Sequence, residues 1–427
     1  MKQVFKDIIL ENQGNELPDV IKREIEIPTD LQIIVSLIGP RRSGKTFMLY
    51  NLIKELLQKG VSKEKIVFIN FEDERLNVQT SELDLILQAY LEVYPNIDIS
   101  EVYFFFDEIQ NVLGWEKFVR RLFDAKTKKI FVTGSNSKLL STEIATELRG
   151  RAISYTIYPY NFREFLKVNN APLDVNTQAN RSKIINIAEK FMFNGGFPEL
   201  VNYDSKVRIK ILQQYFNVMI YRDIVERYKI SNSLVLKFFI KKLFSSVTVP
   251  FSINKIYNDL KSLGYKVSNK YLYEYADYCN SVFLTQEVNK FHFSEIKQFK
   301  SDKKAYVIDN GLLNSIDFKI SKNRGKLFEN LVVMEFIKQA KEIFYFKDRY
   351  ECDIILVEDG EYMPVQISYS VLDKETKERE LRGILNACNY LKINKAKLIT
   401  FDEDDTVNYN GIKVSIESFY RYFGAFN

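Results

Sequence analysis

The stretch IIVSLIGPRRSGKTFMLYNLIKELL, residues 33–57, decides the fold. Five of its first six residues are apolar and four of those are β-branched, which reads as a strand buried on both faces. Its last twelve repeat apolar residues at helical spacing. Between them GPRRSGKT, residues 39–46, fits G-x-x-x-x-G-K-[ST] in full. A chance match in a chain this long is on the order of one in a hundred, and the strand before and helix after it lower that further. Gly39 and Gly44 let the backbone turn so that the N–H groups of Pro40-Arg41-Arg42-Ser43 and their neighbours converge on a phosphate; Pro40 itself, lacking an N–H, shapes the turn. The helix starting near Lys45 adds the positive end of its dipole. Lys45 reaches the β- and γ-phosphates of a nucleotide, and the Thr46 hydroxyl is a ligand for Mg²⁺.

Working outward, VYFFFDE at 102–108 is an apolar strand that ends in two acids. Asp107 then stands at the carboxyl edge of the sheet, where it anchors Mg²⁺, and Glu108 is placed to take a proton from an attacking water. A third strand ends KIFVTGSNSK, residues 129–138, with Ser135 and Asn136 as candidates to meet the γ-phosphate or the water; a plain turn is the other reading. Further on, ELRGR offers Arg149 and Arg151 as γ-phosphate sensors, in cis or from a neighbouring subunit, or else as surface salt-bridge residues.

From 31 to 158 five short apolar runs (33–38, 66–71, 102–106, 129–133 and 153–158) alternate with amphipathic helical patterns, among them TFMLYNLIKELL, LDLILQAYLEVY and WEKFVRRLFDA. That alternation implies an α/β fold with a parallel sheet covered by helices. Residues 160–235 read as helices interrupted by GGFP at 195–198. Residues 253–291 read as helix, glycine turn, helix and short strands, with Ser268 as the N-cap of the second helix. Residues 324–427 read as helix, three strands, helix, strand.

Composition bounds the chemistry. A chain of 427 residues, 46% hydrophobic and 27% charged, divides into two to four domains. His292 is the single histidine, which excludes His-rich metal sites and Ser-His-Asp chemistry at any position remote from it. Cys279, Cys352 and Cys388 form neither a CxxC pair nor a disulfide framework, as in a reducing cytoplasm. The amino terminus MKQVFKDIILENQGNELPD does not read as a signal peptide, and no apolar run approaches the roughly 20 residues that span a bilayer, so no membrane partner is expected. The 33 Phe and 26 Tyr accompany abundant Ile, Asn and Lys and read as codon bias.

Taken together, GPRRSGKT, FFFDEIQN, FVTGSNSKLLS, ELRGR, IYPYNFREF, GGFPEL and YRDIVERY resemble a family of archaeal and bacterial AAA+-type ATPases close to the STAND signalling ATPases. The resemblance covers most of residues 20–230. It implies a P-loop NTPase sheet with an α-helical lid, and a GGFP segment whose Pro198 packs near adenine; a helix-breaking turn explains the same residues. Members with further domains carry a winged helix–turn–helix and then a restriction-endonuclease-like, PD-(D/E)xK domain. Here residues 236–300 resemble the former, with SNKYLYEYADYCNSV as recognition helix, for DNA contact or for packing alone. The remainder resembles the latter through Glu329, Asp353 and Gln366, which would hold a metal, but Ser368 stands where the catalytic lysine belongs. The resemblance therefore implies a vestigial nuclease site more than a working one.

The expected organisation is a P-loop ATPase core with an amino-terminal helical segment at 1–158, a lid at 159–235, a winged helix at 236–300 and a nuclease-like domain at 301–427. The expected function is Mg²⁺-dependent ATP hydrolysis driving a nucleotide-gated switch. A slow DNA- or protein-binding module and an ATP-regulated nuclease are the alternatives. Net charge is +5 overall, but residues 201–350 carry 26 basic against 15 acidic side chains, a net of +11. A DNA backbone would be met there; a protein partner or self-association is equally open.

Overall fold

The computed structural model describes residues 1–135, 148, 150–172, 174–316 and 323–424. It divides into two compact units, Met1–Tyr158 and Pro159–Asn427. The expected divisions at 235 and 300 fall inside the second unit.

In the first unit, α1 (Lys2–Gly14) is followed by β1 (Ile34–Ile38), α2 (Lys45–Gln58), β2 (Ile66–Asn70), α3 (Asp84–Val93), β3 (Tyr103–Asp107), α4 (Trp115–Ala125), β4 (Ile130–Gly134) and β5 (Ala152–Thr156). All five strands are parallel, in the order β2-β3-β4-β1-β5. Val35, Leu37, Phe105 and Phe131 of the sheet share a core with Met48, Leu49, Leu52, Ile53 and Leu56 of α2. The sheet lies in register: Leu37 pairs with Thr133, Phe106 with Val132, and Asn70 with Asp107. The carboxyl ends of β1, β4 and β3 therefore come level with one another. β2 is one edge of the sheet, and α1 covers it: the Asn12 and Gln13 side-chain amides donate to the Phe68 and Ile66 carbonyls, each at 3.0 Å.

The second unit begins with α5 (Phe162–Val168), α6 (Gln178–Asn194), α7 (Ser205–Val218), a π-helical turn at Met219–Glu226 and α8 (Ser233–Ser245). Then come β6 (Pro250–Phe251), α9 (Ile253–Ser262), α10 (Asn269–Ser281), β7 (Thr285–Val288), α11 (Glu295–Lys300) and β8 (Lys303–Val307), with β6-β8-β7 as one antiparallel sheet. Ser268 caps α10 as expected, accepting from Lys270 N. Because β8 pairs with both β6 and β7, the boundary expected at 300 cuts through this sheet. The sequence continues with α12 (Asn310–Ile316), α13 (Arg324–Lys338), β9 (Glu342–Lys347), β10 (Glu351–Glu358), β11 (Glu361–Ile367), α14 (Lys374–Leu391), β12 (Lys395–Thr400), β13 (Asp405–Tyr409), β14 (Ile412–Ser418) and α15 (Phe419–Gly424). The last sheet runs β13-β14-β12-β11-β10-β9 and is mixed: β9, β10 and β11 are antiparallel, β12 is parallel to β11. Helix, three strands, helix and strand were expected; β13, β14 and α15 are additions.

GGFP has a packing explanation within this unit. Gly195 ends α6 at φ +74°, and a Cβ there would lie 2.0 Å from Asp309 Oδ1. Asp309 Oδ2 accepts from Gly196 N at 2.7 Å, so the turn is fastened to the residue preceding α12. Pro198 then opens a short 3₁₀ turn, Pro198–Leu200. The three thiols are free and buried. Among the described residues no helix is long and apolar enough to cross a membrane.

Candidate nucleotide-binding site

The loop between β1 and α2 is built for close approach. A Cβ on Gly39 would lie 2.2 Å from the Ile157 carbonyl oxygen, so glycine is required there by packing. Arg42 and Gly44 take positive φ, +64° and +98°, which turns the chain into α2. Arg23 braces the loop from outside: one guanidinium nitrogen donates to the Ser43 carbonyl at 3.1 Å and another to the Tyr158 carbonyl at 2.7 Å. Arg41 pairs with Glu72 at 3.0 Å. The Ser43 hydroxyl oxygen is buried with no hydrogen-bond partner among the described residues.

Lys45, 4% exposed, turns its ammonium back on the loop. Nζ donates to the Gly39 and Pro40 carbonyls at 3.3 and 3.2 Å and lies 3.3 Å from Glu108 Oε1. Thr46 Oγ1 donates to Asp107 Oδ2 at 2.7 Å. The expected quartet Lys45, Thr46, Asp107 and Glu108 is thus assembled in one place by the level strand ends.

The electrostatics follow from burial. Asp107 is pushed up to about 6 by desolvation first and by the Glu108 charge second, against hydrogen bonds from Thr133 and Thr46 and the Lys45 charge. Burial alone would raise Glu108 too. The Lys45 ammonium, the Gln110 amide and the Arg41 guanidinium outweigh it and hold the Glu108 carboxyl below its ordinary value. Glu108 also sits at φ +51°, in the left-handed region where a non-glycine residue needs support.

That support comes from Thr133, which sequence reasoning missed. Its Oγ1 donates to Asp107 Oδ1 at 2.6 Å and accepts from Glu108 N at 2.8 Å. The expected residues of this strand end were Ser135 and Asn136. Ser135 is buried, its hydroxyl oxygen without a partner among the described residues; Asn136 and Arg149 lie outside the described residues. The cis reading of Arg151 is corrected: it precedes β5, its carbonyl accepts from Ile34 N, and its side chain pairs with Asp124 at 2.8 Å. It stands at the amino edge of the sheet, about 13 Å of strand away from the loop.

These residues fit a magnesium nucleotide. A hydroxyl and a carboxylate lie side by side as hard oxygen donors, the loop supplies backbone N–H groups, and the buried Ser43 and Ser135 hydroxyls have no partner among the described residues.

The second expected set lies in the other unit and looks different. Glu329 (α13) and Asp353 (β10) do come together, but around the ammonium of Lys304 from β8. Nζ is 3.1 Å from Glu329 Oε1, 2.7 Å from Glu351 Oε1 and 3.6 Å from Asp353 Oδ1. Gln366 accepts from Asp353 N at 3.3 Å and donates to Glu380 at 2.7 Å. Ser368 donates to the Ser370 carbonyl. The expectation that Glu329, Asp353 and Gln366 hold a metal is therefore corrected: a lysine side chain is among the acids, and the amide is committed elsewhere.

Comparison with known proteins adds the following. A family described as "AAA domain" matches residues 32–166. Two described as domains of unknown function, DUF8612 and DUF4143, match 186–323 and 324–419. The uncharacterized protein MJ1544 of Methanocaldococcus jannaschii is 36% identical over 94% of this chain and 90% of that protein. An uncharacterized protein of Haemophilus influenzae is 31% identical over 90% of this chain and 93% of its own length. Among solved structures, Cdc6p from Pyrobaculum aerophilum is 14% identical, covering 70% of this chain and 88% of that one, at a TM-score of 0.26. AMPPCP-bound DnaA from Aquifex aeolicus is 12% identical, covering 64% and 86%, also at 0.26. A TM-score of 0.26 is too low to establish a common architecture.

Proposed function

This chain belongs to the protein family that includes MJ1544 of Methanocaldococcus jannaschii, with an AAA domain at its amino-terminal side, and from that premise we propose that it is a Mg²⁺-dependent ATPase working as a nucleotide-gated switch. The observation that carries this reading is the Lys45–Thr46–Asp107–Glu108 quartet at the carboxyl edge of the parallel sheet.

Lys45 would bind the β- and γ-phosphate oxygens, exchanging the Gly39 and Pro40 carbonyls for charged acceptors. Thr46 and Asp107 would hold Mg²⁺. The ion supplies neutralisation of phosphate charge when bound. Glu108 would take the proton of the attacking water. Its ion pair with Lys45 gives this base a built-in condition: the carboxylate is held weakly basic while the ammonium rests on it. When phosphate draws the ammonium away, that restraint is lifted. Thr133 keeps Glu108 in its left-handed conformation and orients Asp107.

A DNA partner is part of the proposal. What supports it is the order helix, strand, helix, helix, strand, strand over α8 to β8, interrupted only by the short helix α11 between the last two strands, with Tyr271 and Tyr273 exposed on α10; apart from α11 this is the element order of a winged helix. The basic excess of residues 201–350 lies across the same region. The test is steady-state ATP hydrolysis with Mg²⁺, with and without double-stranded DNA. Turnover that depends on Mg²⁺ and changes with DNA is expected. Negligible turnover under every condition would leave a nucleotide-binding module in place of an enzyme.

A further inference from the structure

Lys303 and Lys304 are neighbours on β8, and the two-residue period of a strand sends them to opposite sides. Lys303 pairs with Glu287 at 2.6 Å and remains partly exposed. Lys304 has no exposed surface at all. Tyr306, two residues on, shares its side, and the Tyr306 hydroxyl donates to the same Glu329 Oε1 at 3.0 Å. The helix that carries Glu329 is locked to the strand that carries Lys304: Asn330 exchanges two hydrogen bonds with the Val307 backbone, each at 2.9 Å. An ammonium has three donors, and Lys304 has three carboxylates, one each from Glu329, Glu351 and Asp353. The Tyr345 ring centroid is 5.6 Å from Nζ.

The acids are otherwise engaged. Asp353 Oδ2 accepts from Ile367 N at 2.9 Å, and Lys347 reaches Glu351 Oε2 at 2.9 Å. Gln366 is held between Asp353 N and Glu380, and Arg379 pairs with Glu380. Mg²⁺ needs oxygen ligands at about 2.0–2.1 Å in near-octahedral array. Here Glu329 Oε1 and Glu351 Oε1 stand at hydrogen-bonding distance from a nitrogen and Asp353 Oδ1 at 3.6 Å, while the Asp353 Oδ2 and Glu351 Oε2 oxygens face other donors.

We propose that the Lys304 ammonium is the resident cation of this cluster, holding the position a divalent metal would need and closing the C-terminal fold to metal. This goes beyond the nucleotide reading and does not depend on it. It has a consequence that a passive salt bridge lacks: taking the ammonium away leaves three carboxylates converging on one point, which is a site for a divalent cation.

The experiment measures Mn²⁺ binding to the nucleotide-free full chain by electron paramagnetic resonance, for the wild type, Lys304→Ala, Asp353→Asn and the double variant. The expected result is that Asp353→Asn removes no Mn²⁺ from the wild type. Lys304→Ala should gain one Mn²⁺ per chain and a higher Tm in its presence, and the double variant should lose both. A wild-type Mn²⁺ that disappears with Asp353→Asn overturns the proposal, as does a folded Lys304→Ala that gains none. Should Lys304→Ala not fold, reductive methylation of the wild-type chain read by mass spectrometry decides. Lys304 should stay unmodified at saturating Mn²⁺ as in its absence, whereas modification of Lys304 induced by Mn²⁺ overturns the proposal.

Discussion

Lys45 and Lys304 are both buried, and they are buried for opposite ends. Lys45 rests on two carbonyls and one carboxylate, 3.2 to 3.3 Å away, at the open edge of a sheet. Lys304 is surrounded by three carboxylates inside a fold that spans a strand, a helix and a second sheet. Burial alone would pull the pKa of Lys304 down, but Glu329, Tyr306, Asp353 and Glu351 raise it well above its ordinary value. The same cation therefore hides nearby acids in both places, but only Lys45 has partners that a phosphate can better. The lesson is that a buried ammonium marks a ligand site when its partners are weak and a structural one when they are strong and complete.

Substitutions at each lysine should separate the two regions. The largest effect is expected at Lys45→Ala, which should weaken ATP binding on the order of 100-fold or more in calorimetric titration, since a charge-assisted contact to phosphate is lost. If affinity survived, the loop would not be the nucleotide site and the contrast would collapse. Lys304→Ala should instead cost stability, about 3–5 kcal/mol by chemical denaturation, because uncompensated buried carboxylates remain; its ATP affinity should be retained. A loss below about 1 kcal/mol would mean the cluster is as loosely held as a surface pair.

Thr133→Val sharpens the account of the first region. It keeps the shape of the side chain but leaves Glu108 N without its acceptor and Asp107 Oδ1 without its Thr133 donor. Turnover should fall about tenfold with little change in nucleotide affinity, a difference of about 1.4 kcal/mol and in the range of one buried hydrogen-bonding group left unpaired. An unchanged kcat would remove Thr133 from the site. The smallest effect belongs to a control outside both regions: Ser268→Ala removes the N-cap of α10 and should cost about 1 kcal/mol of stability.

Much of the first unit was legible in the sequence, and the reason is physical. The four strands β1 to β4, buried almost throughout, read as short apolar runs, and these together with the more exposed edge strand β5 were located to within one or two residues. The loop motif carries its own chemistry. Thr133 was not legible because its role depends on strand register: it meets Asp107 only since β4 lies beside β3. Reading along the chain pointed two residues too late, to Ser135. Arg151 stayed open between phosphate sensor and surface salt bridge for the same reason, since ELRGR does not reveal which edge of the sheet receives it; the salt bridge is what forms.

The second unit hid its site more completely. KK at 303–304 reads as surface charge, and only the strand's alternation against α13 and β10 turns one of the pair inward. One signal was present and unused. The β13–β14 hairpin turns at Asn410-Gly411, both at positive φ, and Asn-Gly between alternating residues is a strong hairpin sequence.

Glu108→Gln tests the central claim most directly. The variant is mixed with labelled ATP and Mg²⁺, separated from free nucleotide, and its bound nucleotide identified. Tight binding with the nucleotide recovered as ATP, and steady-state turnover lowered about 10²–10⁴-fold, is the predicted result. Recovery as ADP at the wild-type rate would contradict the assignment of Glu108 as the base and, with it, the account of this site as an ATPase centre.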